Sequence, residues 1–168
     1  FIIHARKAWL KGLSPKENRE VPPLKYDVVA RLKAARPDLC IILNGGLKTT
    51  AQVSEALQTF DGVMIGREAY QNPWSLAELE AHIYGTPLPD RHTIARAMAV
   101  YSADVAARDG TPVHSVTRHM LGLYNGLRGA RHWRRQVGGA SFAAKDAASL
   151  IEEALAAIDS YRDMELAA

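Results

Sequence analysis

Two short apolar runs each end in a glycine-bearing turn: Cys40-Ile41-Ile42-Leu43 leads into Asn44-Gly45-Gly46, and Gly62-Val63-Met64-Ile65 leads into Gly66-Arg67. Amphipathic, helix-like sequence follows each turn within a few residues. Short, β-branched, uninterrupted runs of this kind suit parallel strands covered on both faces, which have no solvent side on which to alternate. Adjacent parallel strands bring their following turns to the same end. Glycine lets the backbone come close to an anion, a helix start favours negative charge, and Arg67 adds a charged fork. The pattern constrains this part of the chain to an α/β unit with a phosphate cradle at one end of its strands.

In a (β/α)8 TIM barrel, the recurring phosphate site is built from the loops after the last two strands and the start of a short extra helix. Residues 68–73 are placed to be that helix. On this reading residues 62–65 are the eighth strand, 40–43 the seventh and Phe1-Ile2-Ile3-His4 the sixth. The chain then lacks roughly the first five βα units of a barrel. Residue 1 is Phe, and a strand begins with no preceding cap or targeting segment, as that reading requires.

Composition narrows the class. With 168 residues, 48% of them hydrophobic and 23% charged, the chain can bury a core in one or two domains. The single Cys40 excludes an internal disulfide, and no apolar run reaches the ~20 residues of a membrane span, so a soluble, cytoplasmic protein is expected. The net charge of +3 says little, but its distribution says more. Between Gly110 and Lys145 there is no acid, while Arg118, Arg128, Arg131, Arg134, Arg135 and Lys145 are all basic, with Tyr124 and Trp133 among them. A polyanion-binding surface needs such clustering.

The basic, turn-rich stretch 5–23 is a long loop at a strand end, where function concentrates. Helical spacing follows over 26–36, with Val28, Val29, Leu32 and Ala35 apolar and Pro37 as the stop. Thr49 or Thr50 caps a helix whose buried stripe is Val53, Ala56 and Leu57, and Pro73 opens another through Trp74, Leu76, Leu79 and Ile83 that Gly85 ends. The prolines of 86–90 mark a linker. Beyond it the periodicity predicts four helices, over 91–108, from a Thr111 cap with Pro112 at its first position to about 125, over 128–137 and over 143–161. The expected architecture is α/β, about three βα units forming the C-terminal part of a TIM barrel over residues 1–85, then an all-α helical bundle domain over 91–168.

His4 ends its strand at the expected barrel mouth, where a histidine contacts a ligand or moves a proton. Cys40 starts its strand at the far end and reads as a buried, inert thiol. Arg128, Arg131, Arg134 and Arg135 lie at helical spacings without an acid nearby in sequence, which favours phosphate contact over an ion-paired face. Trp133 and Tyr124 read as core, and His114, His119 and His132 lack the acidic or cysteine partners of a metal site.

Taken together, the strings His4-Ala-Arg-Lys-Ala-Trp-Leu-Lys-Gly-Leu-Ser-Pro-Lys-Glu-Asn-Arg19, Asn44-Gly45-Gly46, Asp61-Gly-Val-Met-Ile-Gly-Arg67 and Ala69-Tyr-Gln-Asn-Pro73 closely resemble the tRNA-dihydrouridine synthases, most nearly the A subfamily. The long loop motif is highly specific; the glycine motifs are shared with other flavin barrels such as dihydroorotate dehydrogenases. The resemblance implies an FMN-bearing barrel followed by a helical tRNA-binding domain. The activity it implies is NADPH-dependent reduction of the C5–C6 bond of a D-loop uridine, or the reverse oxidation. It implies that His4, Asn44, Gly45, Gly46, Gly66 and Arg67 hold FMN and that Lys16, Arg19, Arg131 and Arg134 contact tRNA. No metal and no membrane partner is implied, and a monomer is the favoured state. The general acid of the family is a cysteine on an upstream loop, and a flavin-contacting lysine is also upstream; neither segment is present, and Cys40 does not match the motif. The isolated chain is therefore expected to be inactive. Two alternatives stay open: another FMN barrel acting on a small molecule, and an RNA-binding module without chemistry.

Overall fold

Three short strands, β1 (Ile2–His4), β2 (Ile42–Asn44) and β3 (Gly62–Met64), pair in parallel in the order β1-β2-β3 in a computed structural model of the chain, which describes residues 1–144 and 146–166. The register sets Ile2 opposite Ile42, His4 opposite Asn44 and Asn44 opposite Met64, so all three strands end level. Parallel neighbours need a crossover, and α1 (Tyr26–Ala35) and α2 (Thr50–Leu57) lie in the two connections.

The chain divides into two compact units, residues 1–68 and 69–168. In the first, Ala5, Val29, Ile41, Leu43, Leu47, Ala56 and Phe60 form one buried cluster. Gly62 lies close against the Ile42 side chain: a Cβ on it would meet the Ile42 Cδ1 at 2.7 Å, so the end of that side chain would have to move. Asp61 staples the far end of the sheet: its carboxylate accepts from the Ile41 N–H (2.8 Å) and the Lys33 ammonium (2.8 Å), and Lys33 above all holds its pKa below the usual carboxylate range. Thr49 caps α2 in a full capping box with Gln52.

Several expectations about burial change. The strands are not covered on both faces, since Ile2, His4 and Met64 are exposed. Cys40 is exposed too, because it precedes the paired residues of β2 and Ile41 takes the buried position beside it. Val28, Leu32, Leu57, Leu76 and Ile83 also face solvent, so each apolar stripe is narrower than its sequence suggests.

The second unit is helical. It contains α4 (Trp74–Tyr84), α5 (Arg91–Asp109), α6 (Val113–Thr117), α7 (Ala130–Gly138) and α8 (Ala147–Leu166), and the short α3 (Arg67–Gln71) crosses into it. Trp133, Tyr124, Val137, Ile151, Ala154 and Leu155 fill its core, with α8 packed on both α5 and α7. Two polar groups in that core find carbonyl partners: the Trp133 Nε1–H donates to the Met120 carbonyl (2.9 Å) and the Thr117 hydroxyl to the Val137 carbonyl (2.9 Å), whereas the buried Ser102 hydroxyl has no partner among the described residues. The Tyr124 hydroxyl lies 3.0 Å from His92 Nδ1, and burial raises the phenol pKa. On the surface, Arg96 forms a bidentate pair with Glu152 between α5 and α8.

Two details depart from the sequence reading. Trp74 is buried in the helical core, so α4 packs with the second unit, ahead of the irregular residues 86–90. The segment expected as one helix from a Thr111 cap is broken: Pro112 occupies the cap, α6 spans five residues, a 3-10 turn follows at Arg118–Met120, and turns lead on to Gly126. Thr111 instead donates its hydroxyl to Asp109.

Candidate functional site

The level strand ends gather the first set of candidate residues. His4 and Asn44 are paired in register, and Gly45-Gly46 turns away immediately beyond them with φ of +117° and +75°. Neither glycine has room for a side chain. A Cβ on Gly46 would stand 2.5 Å from the Leu24 Cδ1, and one on Gly45 would stand 3.3 Å from the His4 Cε1. The Tyr26 hydroxyl donates to the Gly45 carbonyl (2.5 Å), which fixes the turn from behind. Gly66, by contrast, has nothing within 4 Å of its Cβ direction, leaving open space beside Arg67.

Arg67 begins α3 and its guanidinium is half-exposed. Nη1 donates to a Glu20 carboxylate oxygen (3.0 Å) and Nη2 to the Arg19 carbonyl (3.1 Å), so the loop of residues 5–23 closes onto it. That loop is internally organised. Asn18 donates to the carbonyls of Trp9 (2.9 Å), Leu13 (3.3 Å) and Ser14 (3.3 Å) and accepts from the Trp9 N–H (2.7 Å). Ser14 and Glu17 exchange hydrogen bonds across the 3-10 turn Glu17–Arg19, and the Ser14 bond lowers the Glu17 pKa. Arg6 ties the loop down by donating to the carbonyls of Glu20 (3.0 Å) and Pro22. Lys16 and Arg19 sit exposed on its outer turn.

The electrostatics of this end are cationic. The His4 pKa is lowered from 6.5, first by the partial desolvation of its otherwise exposed ring and then by the charges of Arg6, Arg67 and Arg19. A neutral imidazole both donates and accepts, so His4 can present either kind of polar contact to a ligand. Three arginine fields meeting at a strand-end histidine, next to a glycine turn, suit an anion with a polar ring system attached.

Arg131 and Arg134 lie on α7 in the other compact unit, both exposed. Arg134 donates to the Asn125 side-chain oxygen (3.0 Å), and Asn125 in turn donates to the Gln71 carbonyl (2.9 Å). Arg135 approaches His132 Nδ1 (3.2 Å), and Arg118 donates to His119 Nε2 (3.2 Å). Among the described residues none of Arg118, Arg128, Arg131, Arg134 and Arg135 forms an ion pair, and Lys145 lies outside those residues. Trp133 and Tyr124 are core residues, 4.6 Å apart between ring centroids.

Sequence reasoning passed over the residues that hold these groups in place: Leu24 and Tyr26 behind the glycines, Glu20 and Asn18 in the loop, and Asn125 beside Arg134. Glu20 carried a partial signal, as one of two acids, with Glu17, inside a mostly basic loop. Cys40 stands at the opposite end of β2 from His4 and Asn44 and shares nothing with them. No described helix is long and apolar enough to cross a membrane.

Comparison with known proteins points the same way. The chain is 56% identical over 137 residues to a tRNA-dihydrouridine(20/20a) synthase of Pseudomonas syringae pv. tomato, covering 80% of this chain and 40% of that protein. Proteins of the same name from Salmonella typhi and Vibrio cholerae are 47% identical over 163 and 160 residues, covering 96% and 94% of this chain and 49% of each relative. The chain thus spans about half the length of the curated relatives it matches. The model of the family described as dihydrouridine synthase matches residues 1–159, and with the motifs and strand-end geometry above this assigns the chain to the dihydrouridine synthase family.

Proposed function

We propose that this chain forms the cofactor-phosphate and RNA-contacting portion of a tRNA-dihydrouridine synthase of the A subfamily, a cytoplasmic flavoenzyme that reduces the C5–C6 bond of a D-loop uridine. Residues 1–68 would supply the last strands of an FMN-binding (β/α)8 barrel and residues 69–168 a helical tRNA-binding domain. The observation that carries the reading is the meeting of the Arg6, Arg19 and Arg67 charges at His4, beside the Gly45-Gly46 turn, in a chain of this family.

The residues present fit FMN: the glycine turn excludes side chains, Gly66 leaves space, and Arg67 keeps donors for a phosphate. When bound, FMN supplies the reducing equivalents, with NADPH as the reductant. Asn44, Gly45, Gly46, Gly66 and Arg67 hold the phosphate end, and His4, neutral near pH 7, faces the ring system. Lys16 and Arg19 on the loop, and Arg131 and Arg134 on α7, take backbone phosphates of tRNA, which fix register and carry no sequence information. A uridine must leave its stack to be reduced, so phosphate contacts have to hold the RNA while one base is extruded. The proton donor is not assigned to these residues, and Cys40 is at the wrong end of its strand to be it.

The test is a pair of titrations. FMN binding, followed by quenching of flavin fluorescence, should weaken by about tenfold or more in Arg67→Ala, which removes a charge-assisted pair of bonds. Binding to tRNA should fall steeply with salt, and Arg131→Gln should reduce the logarithmic salt slope by about one. An unchanged FMN affinity in Arg67→Ala, or salt-independent binding, would refute the respective half of the reading.

A further inference from the structure

The partner of Arg67 is the least expected contact in the first unit. Glu20 is 47 residues away in sequence, yet its carboxylate accepts from Arg67 Nη1 at 3.0 Å, and the Arg19 carbonyl beside it accepts from Nη2 at 3.1 Å. A guanidinium carries five N–H donors, so two anchored hydrogens leave the others free to receive an anion. An unanchored arginine at the surface would have to give up its rotamer freedom when it grips a phosphate; one already held by two acceptors has given it up on folding. The anchor itself is well built. The carbonyl of Glu20 is held by Arg6 at 3.0 Å, and the preceding 3-10 turn is closed by the Ser14 and Glu17 exchange.

We propose that Glu20 is the positioning residue for Arg67: it aims the guanidinium at the cofactor phosphate without touching the cofactor, and so makes the long loop part of the phosphate site. The proposal rests on the FMN reading above and adds a residue to it. Glu20 acts only through Arg67, and therefore only on ligands that carry the phosphate. Riboflavin, which has the same ring system and lacks the phosphate, separates this role from general support of the fold.

The measurement is the dissociation constant of FMN and of riboflavin for the full chain and for Glu20→Ala, Glu20→Gln and Arg67→Ala. An ion pair half-open to solvent sets the scale, so Glu20→Ala should weaken FMN by about three- to fivefold and leave riboflavin unchanged. Glu20→Gln should recover most of the loss, because its amide oxygen still accepts from Nη1. Arg67→Ala should erase the preference of the chain for FMN over riboflavin. Equal weakening of both ligands in Glu20→Ala would make Glu20 a structural residue, and tighter FMN binding would make it a competitor of the phosphate; either overturns the proposal, as does an unchanged FMN affinity. If Arg67→Ala loses the FMN preference while Glu20→Ala keeps it, the phosphate site stands and the role of Glu20 falls. If the unaltered chain shows no preference for FMN, the phosphate reading falls and this inference falls with it.

Discussion

Gly46 is held in the left-handed region at φ +75°, with the Leu24 side chain where a Cβ would be. A non-glycine residue pays about 1–2 kcal/mol for that backbone alone, so Gly46→Ala should destabilise the chain by about 2 kcal/mol once the displacement of Leu24 is added. Urea denaturation measures it, and a loss under about 0.5 kcal/mol would mean that Leu24 yields freely. His4 makes a different prediction at the same turn. Its folded pKa lies below 6.5, through partial desolvation first and then Arg6, Arg67 and Arg19, while the unfolded chain keeps the ordinary value. The unfolded state therefore holds more protons in the window just under 6.5, and the His4 contribution to stability is full above 6.5 and lost as pH falls through the folded value. An NMR titration of the imidazole should show a midpoint below 6.5, and a midpoint at or above it would contradict the desolvation and the arginine field together.

At the level of elements, what could be read in advance was what is decided locally. The Thr49 cap, the Pro73 start and the Gly85 stop of α4 all depend on residues within a turn of one another, and the structure has each of them. Thr49→Ala removes the half of the capping box in which the Thr49 hydroxyl accepts from the Gln52 N–H, leaves the Gln52 side chain on the backbone N–H of residue 49, and should cost about 1 kcal/mol in thermal or urea unfolding. A neutral result would show that Gln52 alone holds the helix start. The 111–125 segment was illegible for the opposite reason. Its helical spacing is real, but Gly122 comes so close to the Gln71 carbonyl that a Cβ would stand 2.0 Å from it, and Asn125 donates to that same carbonyl. Contacts with a segment fifty residues earlier, invisible to any local pattern, accompany the break into a short helix, a 3-10 turn and a run of turns. The candidate site divides along the same line. Its glycines and arginines were recognisable by type and spacing, whereas Glu20, Tyr26 and Asn125, which hold them, meet their partners only through the fold.

On the scale of the whole chain, the composition-based reading placed a boundary at the prolines of 86–90, since those residues resist helix and strand. Packing follows other rules: Trp74 and the Gln71–Pro73 backbone are built into the helical unit through Gly122 and the core around Trp133. Gly122→Ala should push that backbone away and destabilise the helical unit by about 2 kcal/mol or more, seen as an earlier unfolding transition; a wild-type midpoint would mean that the Gln71 carbonyl can simply swing aside. The buried position of Trp74 also decides how the helical unit has to be cut if it is to be prepared by itself. A piece trimmed at the proline stretch would leave Trp133 and its neighbours without one of their largest packing partners and strand the Asn125 amide without its acceptor. A piece that starts at Ala69 keeps both.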